Sequence, residues 1–449
     1  MKLLFFTLSL FLQYIPQSEN DTLFVRSISA ADSSSVVLTM DDVLKVAMSE
    51  NVSVMVADME IKRKEYAKKG TYAALYPQID ANGSFQRTIE KQTFYMEDMA
   101  VKVGLFNNFA VGATASMPIV NAQLWQSLKI SADDVELAVE KARSSRLDMV
   151  TEVKTAFYAV LLAKETARVY EQVYDNAKRN LEVTQMRFNA QRASEMELLR
   201  AKTSVANAIP DVYNSRNLID LSLWQLKAVM GVDLDFNMDI AGSLHDYAGE
   251  LFLTPQTADE IDLSRNSSLR QLQLQTEELA KNIKLNKMAY VPTLALAFAY
   301  NYSVMNDTFN FKQYTWTPYS YVGLSLSIPI FSGGKRFTNV RQSQVQYEQM
   351  RLQQTQTERQ LRIAVKSDLS TMETYMNSYY AAQSAVASAR KSLDVSEKSY
   401  EVGRITLVEL NASVLAYAQA ELNQWQAVYN FLTSKADLEK QLGQDYIFD

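Results

Sequence analysis

The chain has no cysteine and a single histidine, His245, among its 449 residues. Disulfides, thiol nucleophiles, iron–sulfur clusters and thiolate zinc sites are thereby excluded. A multi-histidine metal centre has too few ligands, and a Ser-His-Asp triad could be built only on His245. Glycine and proline are sparse, at 12 and 8 residues, against ordinary usage of about 7% and about 5%. Few breakers leave few turns and long uninterrupted elements. Beyond the N-terminus no apolar run approaches the roughly 20 residues of a spanning helix, so entry into a membrane would have to be by strands. Lys+Arg number 45 and Asp+Glu 51, for a net charge of −6. No basic block suits a nucleic acid.

The N-terminus begins Met1-Lys2 and continues through an apolar stretch from Leu3 to Leu12. One positive charge before a short apolar run is the pattern of a secretory leader. Residues 1–18 are expected to be removed, with cleavage as late as residue 31, where Ser29-Ala30-Ala31 has the small-residue pattern.

The rest of the chain repeats itself. Phe188 to Leu198 aligns with Tyr400 to Leu410, and Leu226–Gly231 with Leu438–Gly443, both at an offset of 212. Met117-Pro118-Ile119 aligns with Ile328-Pro329-Ile330 at 211, and Tyr76-Pro77 with Val291-Pro292 at 215. A period this long means duplication of a whole folding unit. The units span 39–231 and 258–443, joined by an irregular connector over 232–257 that holds Asp233, Asp235, Asn237, Asp239, Gly242 and Pro255.

Each unit reads as helix, strand, strand, helix. Leu361, Val365, Leu369, Met372, Met376, Tyr379, Ala382, Val386, Ala389 and Leu393 recur at a mean step near 3.6. They predict a helix from about 333 to about 400, with a counterpart from about 120 to about 190. Helices of this length pack against neighbours as coiled coils do. Pro210 alone interrupts a helical pattern and predicts a kink or restart. Strands are predicted near 78–89, 109–118, 293–303 and 319–330. Leu294, Leu296, Phe298, Tyr300 and Tyr302 alternate with small or polar residues, as do Val322, Leu324, Leu326 and Ile328. One large apolar face and one small or polar face suit a lipid-facing strand with a wet interior. Tyr300, Tyr302, Trp316, Tyr319 and Tyr321 are candidates for an interfacial girdle. Four strands cannot close a barrel and an open edge is not viable in lipid, so insertion requires oligomerisation.

Two stretches resemble the TolC-like outer-membrane efflux channel family. One is Ile328-Pro-Ile-Phe-Ser-Gly-Gly-Lys-Arg336, similar to the family's passage from barrel into helix through Pro329, Gly333 and Gly334. The other is Tyr400-x-x-Gly403-x-x-Thr406-x-x-Glu409-Leu410, similar to the helix–turn–helix at the periplasmic tip. The first unit departs from this pattern, with Gln191 for the tip glycine and Asn121-Ala122 for the glycine pair after Pro118. The resemblance implies a mainly α fold with a small antiparallel β part and two tandem α-β-β-α repeats per chain. It implies a homotrimer, with a twelve-stranded barrel in outer-membrane lipid continued by a twelve-helix barrel across the periplasm. The implied function is a passive exit duct of a tripartite efflux or type I secretion system, with a periplasmic adaptor and an inner-membrane transporter as partners. It implies no cofactor and no enzymatic step.

The gate is expected at two tip turns, 190–197 and 402–409, with Arg192, Glu195, Glu197, Gly403, Arg404, Thr406 and Glu409 as its residues. Their charges have two readings. They are solvated turn charge, or carboxylates converging on a constriction, where like charges favour cations. By resemblance Glu409 stands at an aperture acid, the family's second acid is replaced by Ala412, and Arg404 could tether the closed state by an ion pair. Pro77, Pro118, Pro292 and Pro329 mark the transitions between strands and helices. Phe331-Ser-Gly-Gly-Lys-Arg is not a phosphate loop, because the glycine that motif needs at 329 is a proline. Asp41-Asp42 with Thr39 reads as a helix start, Asp133-Asp134 as a solvated helix face. The alternative function is a structural coiled-coil protein of the cell envelope, without Pro-flanked alternating strands.

Overall fold

The computed structural model describes residues 36–96, 99–249 and 262–446. The expected leader and Pro255 lie outside the described residues. The helices are α1 (Met40–Glu50), α2 (Val52–Ala73), α3 (Ala122–Asn189), α4 (Glu195–Met230), α5 (Leu244–Tyr247), α6 (Ser267–Met288), α7 (Lys335–Glu401) and α8 (Leu407–Leu442). The strands are β1 (Val36–Leu38), β2 (Gln78–Arg87), β3 (Gln92–Met96), β4 (Met99–Val103), β5 (Asn107–Val120), β6 (Met238–Ile240), β7 (Thr293–Asn306) and β8 (Thr317–Ser327).

α3 and α7 have 68 and 67 residues, each roughly 100 Å long at about 1.5 Å per residue. Neither contains a proline. Along its first half α3 packs between α2 and α6, and along its second half between α4 and α8. α7 packs on α6 and then α8. α4 and α2 run in one direction and meet end to end, as do α8 and α6. The helical part is therefore a wall of four columns: α4 with α2, then α3, then α8 with α6, then α7. α4 continues through Pro210 without the restart expected there. The proline costs one N–H bond, to the carbonyl of Ala206, and packing along α3 holds the helix across that gap.

The main core lies midway along the wall. It gathers Val43 and Leu44 of α1, Val153, Phe157 and Leu161 of α3, Leu226 and Met230 of α4, and Val428, Phe431 and Leu432 of α8. The connector contributes to it. Where irregular chain was expected, β6 pairs in parallel with β1 and the single turn α5 buries Leu244. Such short elements are fixed by burial of Met238 and Ile240 rather than by their own periodicity. His245 packs edge-on against Trp425. Thr39 caps α1 in a reciprocal box with Asp42. A second, smaller core closes the far end, where Ala201 meets Leu393, Tyr400, Leu407, Leu410 and Val414.

β2, β5, β7 and β8 form one antiparallel sheet in that order, and β3 and β4 form a separate hairpin. The sheet caps the wall at the end where α2, α3, α6 and α7 meet their strands. β2 and β8 are its unpaired edges. Among the described residues no helix is long and apolar enough to cross a membrane.

Candidate functional site

The register of the sheet sorts its side chains. Ile79, Ala81, Gly83 and Phe85 of β2 lie opposite Ala115, Ala113, Val111 and Phe109 of β5. Those residues face Phe298, Tyr300, Tyr302 and Val304 of β7. Leu294, Leu296 and Phe298 face Leu326, Leu324 and Val322 of β8. Residues directly opposite share a face, so one apolar surface runs across all four strands. The other face carries Asp80, Asn82 and Ser84, then Thr114, Gly112 and Ala110, then Ala299, Asn301 and Ser303. Ile79, Val322, Leu324 and Leu326 are 75, 72, 66 and 62% exposed. Inward of the Phe85–Phe109 row, the apolar face therefore has no partner among the described residues.

The girdle differs from expectation. Tyr300 and Tyr302 belong to the apolar face, their hydroxyls 2.9 Å apart. Tyr319 and Tyr321 pair with Asn301 and Ala299 and so belong to the polar face. Their odd numbers, shared with Gly323 and Ser325, carry that signal in the sequence. The aromatic partners on the apolar side are instead Phe85, Phe109, Phe309, Phe311 and Tyr314.

The four transition prolines are not equivalent. Pro77 and Pro292 stand immediately before β2 and β7. β5 continues through Pro118, opposite Ala295, to Val120 across a register shift. β8 ends at Ser327, two residues before Pro329. Asn121 then caps α3, its side chain accepting from Leu124 N. Gly333 and Gly334, at φ 61° and 84°, turn the chain into α7, and Arg336 donates back to the Pro329 carbonyl at 2.9 Å.

The tip turns are built alike. α3 ends with Arg192 N donating to Arg187 O at 2.7 Å and Gln191 N to Phe188 O at 2.9 Å. α7 ends with Arg404 N donating to Ser399 O at 2.8 Å and Gly403 N to Tyr400 O at 2.9 Å. Both are Schellman closures. α4 and α8 then start in capping boxes. Ser194 N donates to Glu197 Oε2 at 2.9 Å, and Thr406 N to Glu409 Oε2 at 2.7 Å. Backbone and then hydroxyl donation from Thr406 hold the Glu409 carboxyl below the usual carboxylate range. Glu409 and Glu197 thus have structural work at the turns, while Glu195 is exposed in the same first turn. Neither Arg192 nor Arg404 makes an ion pair among the described residues.

The cation that joins the turns is Arg187. Its guanidinium donates to the Tyr400 carbonyl at 3.1 Å and lies 5.1 Å from the centre of that ring. The Tyr400 hydroxyl is 2.6 Å from Thr184 Oγ1, buried between α3 and α7. Beside this contact an open groove of about 690 Å³ runs between α4 and α8 over α3. Ala177, Met196, Leu199, Leu407, Val408 and Leu415 give it an apolar lining.

Two features escaped the sequence reading. Asn51 caps α2 through Oδ1 and donates from Nδ2 to Val229 O of α4 at 2.6 Å. Asn266 caps α6 and donates to Gln441 O of α8 at 2.7 Å. Each asparagine splices one helix end to another, and each faces a left-handed glycine. A Cβ on Gly231 would meet Glu50 O at 2.4 Å, and one on Gly443 would meet Arg265 O at 2.0 Å. The asparagines are 215 residues apart, the offset already seen for Pro77 and Pro292, and that could have found them. Asp133 and Asp134 are not a solvated pair. They bind Lys281 and Lys64, each at 2.6 Å, and tie α3 to α6 and α2.

A sheet with an exposed apolar face, carried on a wall of long helices, is the build of a membrane channel element. The chain belongs to the Outer membrane efflux protein family, whose profile matches residues 43–232 and again 261–444. Membership places it in the outer membrane as a transport channel and not an enzyme. It is 22% identical to Outer membrane protein TolC of Escherichia coli K12 over 343 residues, 72% of this chain and 67% of that protein. It is 23% identical to Alkaline protease secretion protein AprF of Pseudomonas aeruginosa over 352 residues, 75% of this chain and 70% of that one. Its fold matches the Campylobacter jejuni CmeC outer membrane channel with a TM-score of 0.71 at 16% identity, covering 90% of this chain and 85% of that chain.

Proposed function

We propose that this chain is one protomer of a homotrimeric exit duct that serves a tripartite efflux or type I secretion system. The observation that carries the proposal is the four-stranded sheet, with an apolar band running across all four strands of one face and, among the described residues, unpaired at both edges. Lipid covers such a face, and closure with other copies removes the edges. Three copies supply a twelve-stranded barrel continued by twelve helical columns. The edge columns support closure. α2 leaves Val52, Val56, Met59 and Tyr66 exposed at coiled-coil spacing, and α7 leaves Phe337, Val345, Leu352 and Ile363 exposed on one side.

The duct has no chemical step. Its gate is the pair of tip turns, held together by the Arg187–Tyr400–Thr184 contact, and it opens when the turns move apart. With Glu197 and Glu409 engaged in capping boxes and Ala412 one turn on, packing rather than a dense carboxylate ring keeps it shut. The apolar groove between α4 and α8 receives the helical hairpin of a periplasmic adaptor, which links the duct to an inner-membrane transporter. The test is reconstitution into planar bilayers of the detergent-extracted, heat-modifiable oligomer. Low conductance that rises on Arg187→Ala with Tyr400→Phe supports the reading. Recovery only in the soluble fraction, or an oligomer other than a trimer, sinks it.

A further inference from the structure

We infer that the outer rim of the apolar face seats a phosphorylated glycolipid. This rests on the membrane reading above and names the lipid. The outer end of the sheet is the end remote from the helices. There Arg87 of β2, Asn107 of β5 and Asn306 of β7 lie opposite one another, and the next row on that face is Phe85, Phe109 and Val304. Phe85 stacks on Phe109 at 4.5 Å between ring centres. The β7–β8 connection folds back over the same row, placing the rings of Phe309, Phe311 and Tyr314 at 6.3, 5.5 and 5.5 Å from Phe109. Five rings make a shelf, yet Phe85, Phe309 and Phe311 remain 51, 49 and 62% exposed.

Both signs occur at this end, with Glu90 exposed and Asp307 engaged, but two cations lack an ionic partner among the described residues. The Arg87 guanidinium lies 5.4 Å from the centre of the Phe309 ring. Neither it nor Lys312, next to Phe311, has an ion pair among the described residues. Lys91, by contrast, is engaged by Asp307 at 2.9 Å. Asn107 is fully buried at the back of the shelf, and neither atom of its amide has a hydrogen-bond partner.

Aromatic side chains settle where acyl chains give way to headgroups. A guanidinium at that level pairs with phosphate through two parallel N–H bonds. A sugar ring presents a C–H face that lies flat on an aromatic shelf, which a glycerol headgroup lacks. Acyl chains below, a sugar on the rings and a phosphate at Arg87, with Lys312 beside Phe311, fit the rings and the two cations; the Asn107 amide lies behind them.

The test offers three lipids to the intact detergent-extracted protein and reads retention by native mass spectrometry. They are phosphorylated lipid A, the same lipid A stripped of phosphate, and phosphatidylglycerol. Phosphorylated lipid A is retained; lipid A stripped of phosphate is retained about tenfold less, the loss of one charge-assisted contact, and phosphatidylglycerol, which keeps a phosphate but has no sugar ring to lie on the shelf, is also retained less. Arg87→Gln with Lys312→Gln lowers its retention by a similar factor, whereas Lys312→Arg preserves it. Heat-modifiable migration confirms that each variant is assembled. Equal retention with and without phosphate, preference for phosphatidylglycerol, or undiminished retention by the double Gln variant overturns the proposal. Failure of the wild-type protein to enter membranes overturns the reading beneath it instead.

Discussion

The two turns at the tip reach one backbone shape with different residues. Gly403 sits at φ 77° and Gln191 at φ 57°. Both follow a Schellman closure and both precede a capping box. The left-handed region is nearly free for glycine but costs other residues roughly 1–2 kcal/mol. The turn after α3 thus carries strain that the turn after α7 lacks, while the surrounding hydrogen bonds compel the same geometry. Both turns are exposed, but the aromatic that leads into the second is better buried. Tyr400 is 2% exposed, whereas its counterpart Phe188 is only half-buried. Equal shape with unequal cost makes the turns separable by mutation.

The largest separation is expected at these aromatics. Tyr400→Ala removes a buried ring and costs about 3–5 kcal/mol, whereas Phe188→Ala costs about 1 kcal/mol through partial burial. Urea unfolding of the solubilised protein measures both, and equal losses would erase the asymmetry. Next come the left-handed positions. Gly403→Ala costs about 1–2 kcal/mol, and the new Cβ would press on an Arg187 nitrogen 3.2 Å away. Gln191→Gly gains about 1 kcal/mol by releasing strain. Thermal unfolding should move in opposite directions for the two.

The caps test where the turns agree. Ser194→Ala and Thr406→Ala each cost about 1 kcal/mol. Glu409 adds a pH dependence with a defined sign. Its folded carboxyl ionises below the usual range, so its contribution is present at neutral pH and is lost as pH falls through the folded value. Protection of residues 407–410 against amide exchange, corrected for the intrinsic rate at each pH, should fall as pH drops through the folded value, and Glu409→Gln should abolish that step. The smallest effects belong to Arg192→Ala and Arg404→Ala, within about 0.5 kcal/mol of zero, since neither makes an ion pair among the described residues.

Much of this fold could be read from residue order alone. The two long helices are legible because their sequences contain no proline and repeat near 3.6. The sheet strands are legible because large residues alternate with small ones. What escaped are contacts made at a distance. Asn51 donates to a carbonyl 178 residues away, and no local pattern announces that bond. β1 and β6 are three residues each and exist because they pair and bury Met238 and Ile240. Glu409 was visible as an acid at a turn, but only the Thr406 geometry shows that its oxygen is already engaged. Tyr319 and Tyr321 fall outside the girdle because residues two apart share a face, and theirs is the face of Gly323 and Ser325.

The asparagine splices have a mechanical meaning. Two of the four columns, α3 and α7, are single rods from sheet to tip, and the other two are jointed partway along. A rod transmits a push along its axis unbroken, whereas each joint passes it across an asparagine splice, backed by the main core at Asn51 and by Arg143 donation to Gly443 O and Arg265 O at Asn266. A displacement at the far end would therefore reach the sheet along α3 and α7 without a break, and along the other two columns only through Asn51 and Asn266.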